Sequence, residues 1–278
     1  MSGFDMHIHS TASDGQLTAV QIIDQVRERG LLGLSITDHD TVAGLPDALA
    51  YAQIVDIPLI PGIELSAEYD GRDVHILGYW INFQSMLNSE RLRQIKAARE
   101  ERCHQIVRRL AVLGMPLQMA DITASVGADE VHSLGRPHIA LAMVEAKYVS
   151  SIKEAFNKWL SRGQPAYVPR LKFTPLEAME LIHEAEGVTA LAHPGVGVPD
   201  NLIIRLVRQG LGGIEVYHSE HNRMAEKKYL QVARQYRLAA LGGSDFHAPG
   251  TREIGSHLTS LGQLERLAAA RMRVLQLK

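Results

Sequence analysis

Seven short apolar, β-rich runs, at residues 4–9, 32–37, 57–68, 73–81, 188–193, 213–217 and 238–243, are separated by polar and helix-forming stretches. Strands that alternate with amphipathic helices build a parallel sheet or a barrel, because each helical crossover covers one face of the sheet. Two helix starts are legible. Thr18-Ala-Val-Gln21 and Thr174-Pro-Leu-Glu177 both read as capping boxes, in which the hydroxyl and the residue three later satisfy each other's orphan amides. The first of these helices is predicted to stop at Gly30.

The alternation breaks between residues 87 and 169, where helix follows helix at 90–113, 119–125, 137–145 and 151–161. The expected organisation is an α/β barrel in two parts, 1–86 and 170–278, with an inserted helical cap subdomain at 87–169. The first inserted helix carries Arg91, Arg93, Lys96, Arg99, Arg102, Arg108 and Arg109 against Glu90, Glu100 and Glu101, an excess of four positive charges. Such a helix is either a solvated face or an attractor for an anionic substrate.

Over the whole chain 29 Lys and Arg nearly balance 31 Asp and Glu, so duplex DNA and membrane surfaces are not expected partners. A single cysteine, Cys103, excludes a disulfide framework and every thiolate zinc pattern. With no apolar run of membrane length and no signal-like start in MSGFDMHIHS, a cytoplasmic location is expected.

Thirteen histidines are the informative excess, and most stand beside Asp, Gly or Pro. His7 and His9, two apart on the first strand, share a face. Asp14 follows in the next loop, and the second strand ends in Thr37-Asp38-His39-Asp40. Glu64 and His75 interrupt apolar strands, where an ionisable group is costly unless paired or coordinated. The later strands end in His193-Pro194-Gly195 and Ser244-Asp245-Phe246-His247. The same chemistry repeated at strand ends, where barrels build their sites, predicts a multinuclear metal centre. Imidazole and carboxylate donors without thiolate suit Zn²⁺, Mn²⁺ or Fe²⁺. Nine donors exceed the about four a tetrahedral ion takes, so two or three ions are expected, with Glu64 able to bridge.

In this order, His7-x-His9, Thr37-Asp38-His39, Pro61-Gly62-Ile63-Glu64, His75, His193-Pro194 and Ser244-Asp245-x-His247 resemble the polymerase and histidinol phosphatase (PHP) family, over residues 1–79 and 169–278. The resemblance implies a distorted seven-stranded βα-barrel with a trinuclear site. It assigns His7, His9, Glu64 and Asp245 to one ion, Glu64, His75 and His193 to a second, and Asp14, His39 and His247 to a third. Mn²⁺ is the first expectation, with Zn²⁺ or Fe²⁺ as alternatives. Asp38 and Asp40 fall outside this set and are expected to orient His39.

Within the family, the insertion and Gly135-Arg136-Pro137-His138 resemble bacterial 3′,5′-nucleoside bisphosphate phosphatases and the 5′-to-3′ exoribonucleases called RNase AM. This implies removal of the 3′-phosphate from a nucleoside 3′,5′-bisphosphate, with 5′-phosphate-dependent cleavage of short single-stranded RNA as the alternative. A non-catalytic nucleotide-binding module is the third reading, disfavoured by the complete donor set. Arg136, just before a helix start, and Arg170, where the insertion rejoins the barrel, are expected to bind a second phosphate. His218, at the end of the sixth strand, is expected to contact the substrate and to act as the catalytic proton donor. His138 is held in reserve beside Arg136, and no role is assigned to His104, His132, His183, His221 or His257. Amide hydrolysis on a similar barrel usually needs a carboxylated strand lysine, and the seven runs contain no Lys. A phosphate-binding P-loop is absent, and Gly210-Leu-Gly212 precedes a strand instead of opening a helix.

Overall fold

The computed structural model describes residues 2–124, 132–170 and 173–276. All seven expected strands form: β1 (Phe4–Ile8), β2 (Gly33–Ile36), β3 (Leu59–Tyr69), β4 (Arg72–Tyr79), β5 (Val188–Leu191), β6 (Gly213–Tyr217) and β7 (Ala239–Gly242). They lie side by side in chain order. The seam between first and last closes just beyond β7, where the Asp245 amide donates to the His7 carbonyl at 2.8 Å and the His9 amide to the Phe246 carbonyl at 3.0 Å. Asp5 pins this seam from inside: its buried carboxylate accepts from the Ser244 amide at 2.9 Å and the Gly255 amide at 2.8 Å. Burial pushes the Asp5 carboxyl up to about 6, against the pull of those amides.

One strand departs from the parallel repeat. β4 runs antiparallel to both β3 and β5. Asp70 and Gly71 connect it directly to β3, with φ of 48° and 70°, the two positive values that a tight two-residue hairpin requires. No helix separates this pair, so His75 reaches the site from a strand that runs opposite to its neighbours β3 and β5.

Outside the sheet lie α1 (Ala19–Glu28), α2 (Leu45–Ile54), α8 (Pro175–Glu184), α9 (Asp200–Arg208) and α10 (Arg223–Tyr236). Both predicted capping boxes are present, on Thr18 and Thr174, and α1 ends just before Gly30. Period-two alternation sorts each strand between two cores. On β4, Val74 and Ile76 join the outer core against the helices. Leu77 and Tyr79 belong instead to an inner cluster with Met6, Ile60, Val188 and Leu241, completed by Leu264 and Leu267 of α11 (Leu261–Gln276). This inner cluster gathers at the strand beginnings of the barrel and leaves the opposite end to polar residues.

Between β4 and α8 run α3 (Phe83–Leu87), α4 (Glu90–Val112), α5 (Met119–Ala124), α6 (Arg136–Glu145), α7 (Ile152–Ala155) and a π-helical turn at Phe156–Leu160. Ser125, the expected end of the second inserted helix, lies outside the described residues. Cys103, Ile106, Leu110, Ile139, Met143 and Leu160 form a separate apolar core there. His138 ties it to the barrel: its Nε2 lies 2.9 Å from the Ser13 carbonyl and its Nδ1 accepts from the Gly135 amide at 2.9 Å. Among the described residues, no helix is long and apolar enough to cross a membrane.

The Tyr79 hydroxyl, fully buried, donates to the Met6 carbonyl at 2.9 Å and links β4 to β1 across the inner cluster. Tyr79→Phe should lower unfolding free energy by about 1–2 kcal/mol in chemical denaturation without changing the metal content of the folded protein. An unchanged midpoint would show that this bond contributes nothing to the barrel.

Candidate active site

All nine predicted donors converge at the polar end of the barrel. His7 and His9 are fully buried with their Nε2 atoms 3.1 Å apart, as their shared strand face demands. Glu64 lies at the centre, also fully buried. Its carboxylate is 2.9 Å from His39 Nδ1, 2.9 Å from His75 Nδ1, 3.2 Å from His193 Nε2, 3.3 Å from His9 Nε2 and 3.4 Å from His7 Nε2. Asp245 Oδ1 approaches His9 Nε2 at 3.2 Å, and Asp14 Oδ1 approaches His247 Nε2 at 3.4 Å.

These donors fit divalent metal ions. Two ligands on one tetrahedral ion, each about 2.0–2.1 Å from it, stand roughly 3.4 Å from each other, close to the separations above. Despite these close approaches, His9 Nδ1, Asp14 Oδ1, His39 Nδ1, Glu64 Oε2 and His75 Nε2 are buried with no partner in hydrogen-bonding geometry among the described residues, an expensive arrangement that a cation resolves. Four overlapping sets place their donor atoms within 4.8 Å of one another: His9, Asp14, His39 and His247; His7, His9 and Asp245; His7, Glu64 and His193; His39, Glu64 and His75. The expected division into three sets is therefore blurred, with His39 drawn toward Glu64 and His193 toward His7.

Without cations the cluster is electrostatically tense. Burial disfavours the His9 imidazolium, yet Asp245 and Glu64 outweigh it and raise its pKa to about 10. Burial would likewise raise the carboxyls of Glu64, Asp14 and Asp245, but the surrounding imidazoles hold all three well below the usual range. His39 goes the other way, pushed by burial to about 4 despite Glu64 and Asp14.

Glu215, which sequence reasoning passed over, holds this arrangement from behind. Its Oε1 is 2.9 Å from His7 Nδ1 and its Oε2 accepts the His193 amide at 2.7 Å. That second bond fixes His193 at φ 24°, a backbone conformation few L residues adopt. Burial would raise the Glu215 carboxyl, but His7 beside it brings it down to about 2. Gly243 is equally constrained, since a Cβ there would lie 2.3 Å from the His7 Cβ. The argument that singled out Glu64, a charge inside an apolar strand, applies unchanged to Glu215 in Gly213-Ile-Glu-Val-Tyr217.

Asp38 and Asp40 do not orient His39. Asp38 accepts from the Ser10 amide and from the Ser10 and Ser13 hydroxyls at 2.6–2.7 Å, fixing the loop that carries Asp14. Asp40 takes the Ser66 amide at 2.8 Å and pairs with Arg99 at 2.6 Å.

The basic helix α4 splits its charges. Arg91, Arg93 and Arg108 pair with surface glutamates, and Arg109 donates to the Tyr167 carbonyl. Arg99 and Arg102 instead face the site, on the same helical stripe as the buried Leu92, Ile95, Cys103 and Ile106. With the predicted Arg136 and Arg170 they line a cavity of about 170 Å³ that also touches Asp14, His39, His75 and His247. Asp40 and Asp73 are the nearby counter-charges, Asp73 lying 2.9 Å from Arg136 and 3.2 Å from Arg170. Arg102 is buried, with Nη2 unpartnered among the described residues. Burial, then Arg136 and Arg170, disfavours its charge, so an entering anion relieves the repulsion.

On the other side, His218 Nδ1 accepts from the Glu220 amide at 3.1 Å, which leaves the proton of a neutral ring on Nε2, 3.3 Å from Asp245 Oδ2. Arg252, also unforeseen, donates to the same Asp245 oxygen and lies 3.0 Å from Glu220. His221 is structural, bridging the Gly195 amide and the Val216 carbonyl.

Comparison with known proteins agrees with this geometry. A 3′,5′-nucleoside bisphosphate phosphatase of Chromobacterium violaceum is 33% identical over 267 residues, covering 92% of this chain and 91% of the relative. A 5′-3′ exoribonuclease, Rnm, of Escherichia coli (strain K12) is 33% identical over 258 residues, covering 88% of this chain and 85% of the relative. The crystal structure of a protein from Bifidobacterium adolescentis, described as a metal-dependent phosphoesterase, superposes with a TM-score of 0.90 at 29% identity, covering 97% of this chain and 96% of the other. The PHP domain profile matches residues 5–240, running through the inserted helices as well as both flanks, and the chain belongs to the PHP family.

Proposed function

We propose that this PHP phosphoesterase removes the 3′-phosphate of nucleoside 3′,5′-bisphosphates and releases the nucleoside 5′-monophosphate. The observation that carries the proposal is one cavity of about 170 Å³ with two different anion-binding ends, a cluster of metal donors and four arginines. A substrate with phosphates on both ribose hydroxyls matches that pair, and the Chromobacterium violaceum relative bears this activity in its name.

In this reading His7, His9, Asp14, His39, Glu64, His75, His193, Asp245 and His247 hold three divalent ions, Mn²⁺ first among the candidates. Ions bound there lower the pKa of coordinated water and neutralise the oxygens of the reacting phosphoryl group. The remaining work belongs to the chain. Arg99, Arg102, Arg136 and Arg170 bind the 5′-phosphate. His218, its proton set on Nε2 by the Glu220 amide, donates to the phosphate or to the departing 3′-oxygen. Residues 87–169 act as the cap that brings Arg99, Arg102 and Arg136 over the barrel end. A second reading, a 5′-phosphate-dependent exoribonuclease on short RNA, draws support from the larger groove on the far side of the cluster.

Steady-state rates on a nucleoside 3′,5′-bisphosphate, the 3′- and 5′-mononucleotides and a 5′-phosphorylated short RNA test the choice. The bisphosphate should exceed the 3′-mononucleotide by about 10-fold or more in kcat/KM, the yield of one charge-assisted phosphate contact. Preference for the 3′-mononucleotide would overturn the anchoring, and far faster turnover of RNA would make the exonuclease the primary activity.

Arg136→Gln should raise KM for the bisphosphate about 10-fold while leaving a minimal aryl phosphate ester within about twofold. Equal losses on both substrates would assign Arg136 to the reacting phosphate or to the fold.

A further inference from the structure

The two carboxylate oxygens of Asp245 face different neighbours. Oδ1 points into the donor cluster, 3.2 Å from His9 Nε2 and 3.4 Å from His7 Nε2. Oδ2 points away from it, toward His218 Nε2 at 3.3 Å and the guanidinium of Arg252. The backbone at Asp245 is left-handed, with φ 49°, a conformation that few residues with a side chain hold unaided. Arg252 grips that backbone as well: the Nη1 that donates to Oδ2 also donates to the Asp245 carbonyl at 3.1 Å.

We propose that Arg252 is the positioning residue of Asp245, holding Oδ2 so that Oδ1 alone is presented to a divalent ion shared with His7 and His9. This inference rests on the reading of the donor cluster as a metal centre and adds to it the residue that makes one of its carboxylates a one-oxygen ligand.

Three observations carry it. The local sequence returns Arg252 to Asp245: Pro249 and Gly250 turn the chain after His247, with Gly250 at φ 80° and the Thr251 hydroxyl donating to the Ala248 carbonyl at 2.7 Å. The pair is also largely withdrawn from water. The side chains of Arg252 and Asp245 are 24% and 11% exposed, so the guanidinium orients its partner more firmly than a surface pair would. Nη2 meanwhile donates to Glu220 at 3.0 Å, which gives the fork a second anchor outside the cluster. Finally, His218 is given to the substrate in the proposed reaction. When its proton turns to the phosphate or the departing oxygen, Arg252 is the contact that remains on Oδ2.

A cation beside a metal ligand has an opposite reading, in which it competes with the metal. The division of oxygens decides against it, because the guanidinium lies on Oδ2 and the imidazoles that would share the ion lie on Oδ1. Carboxylates that ligate metals are themselves held by outer hydrogen bonds, and this is such a bond.

Mn²⁺ titration of the full chain against a chromophoric chelator, with Zn²⁺ in its place if Mn²⁺ does not bind, tests the assignment without any turnover. Arg252→Gln should raise the dissociation constant of one ion about 10–100-fold, the loss usual for an outer partner of a metal ligand, and change the others much less. Added to Asp245→Asn it should cost no more than about threefold further, because both changes remove the same oriented oxygen. Arg252→Lys keeps the charge without the fork and should fall between wild type and Arg252→Gln; it carries the same cycle if Arg252→Gln does not fold. Arg29→Gln is the control for the loop, since Arg29 holds the same segment through the Ile254 carbonyl at 3.1 Å and Glu253 at 2.7 Å. That variant should leave the titration within about twofold. Tighter metal binding in Arg252→Gln would make the arginine a competitor of the metal. An unchanged titration, additive losses with Asp245→Asn, or equal weakening in Arg29→Gln would also overturn the assignment while the metal centre stands. Wild-type protein that takes up neither Mn²⁺ nor Zn²⁺ would overturn the metal centre and this inference together. Metal uptake without hydrolysis of the bisphosphate would overturn the substrate reading alone, and the Arg252 cycle decides on the same criterion.

Discussion

One buried carboxylate organises this end of the barrel. Glu64 faces five imidazoles, His7, His9, His39, His75 and His193, all within 3.4 Å, with His7 and His9 fully buried and the other three mostly so. Neither a proton nor a single salt bridge satisfies so many convergent lone pairs, and desolvating them is costly unless a cation sits among them. The barrel tolerates this concentration because its apolar packing is complete elsewhere. An inner cluster ending in Leu264 and Leu267 seals the opposite end, and the outer core is continuous with the surrounding helices. Stability and chemistry are thus separated along the strands.

In the proposed function, specificity is supplied from outside the barrel. Arg99, Arg102 and Arg136 come from α4 and the start of α6, beside their own apolar core; Arg99 is tethered by Asp40 and Arg136 by Asp73, while Arg102 donates to the Val168 carbonyl. Two carboxylates, Asp40 and Asp73, thus face four arginines and leave their charges incompletely neutralised. In the proposed reading, a terminal phosphate completes the set.

Much of this was legible in the chain. Seven apolar runs mapped onto seven strands, and every donor picked for its place in or after a strand reached the cluster, because period-two alternation and strand ends are local properties. The antiparallel β4 was harder to see, though Asp70-Gly71 between two apolar runs carried the signal of a tight hairpin. Arg99 and Arg102 were hidden in a run of similar charges, and their position on the buried stripe of α4 distinguishes them. Asp38 and Asp40 misled, because adjacency to His39 in sequence says nothing about which amides a loop carboxylate captures after folding. Arg252 was not readable at all, since its partners Asp245 and Glu220 meet it through tertiary packing.

The central claim, that the Glu64 cluster exists to hold several cations, is tested most directly by elemental analysis of fully active protein purified without chelators, alongside Glu64→Gln. The account predicts more than one divalent ion per chain, approaching about three, and loss of most of that metal in a variant that still folds. One ion or fewer in fully active protein, or undiminished metal in Glu64→Gln, would contradict it.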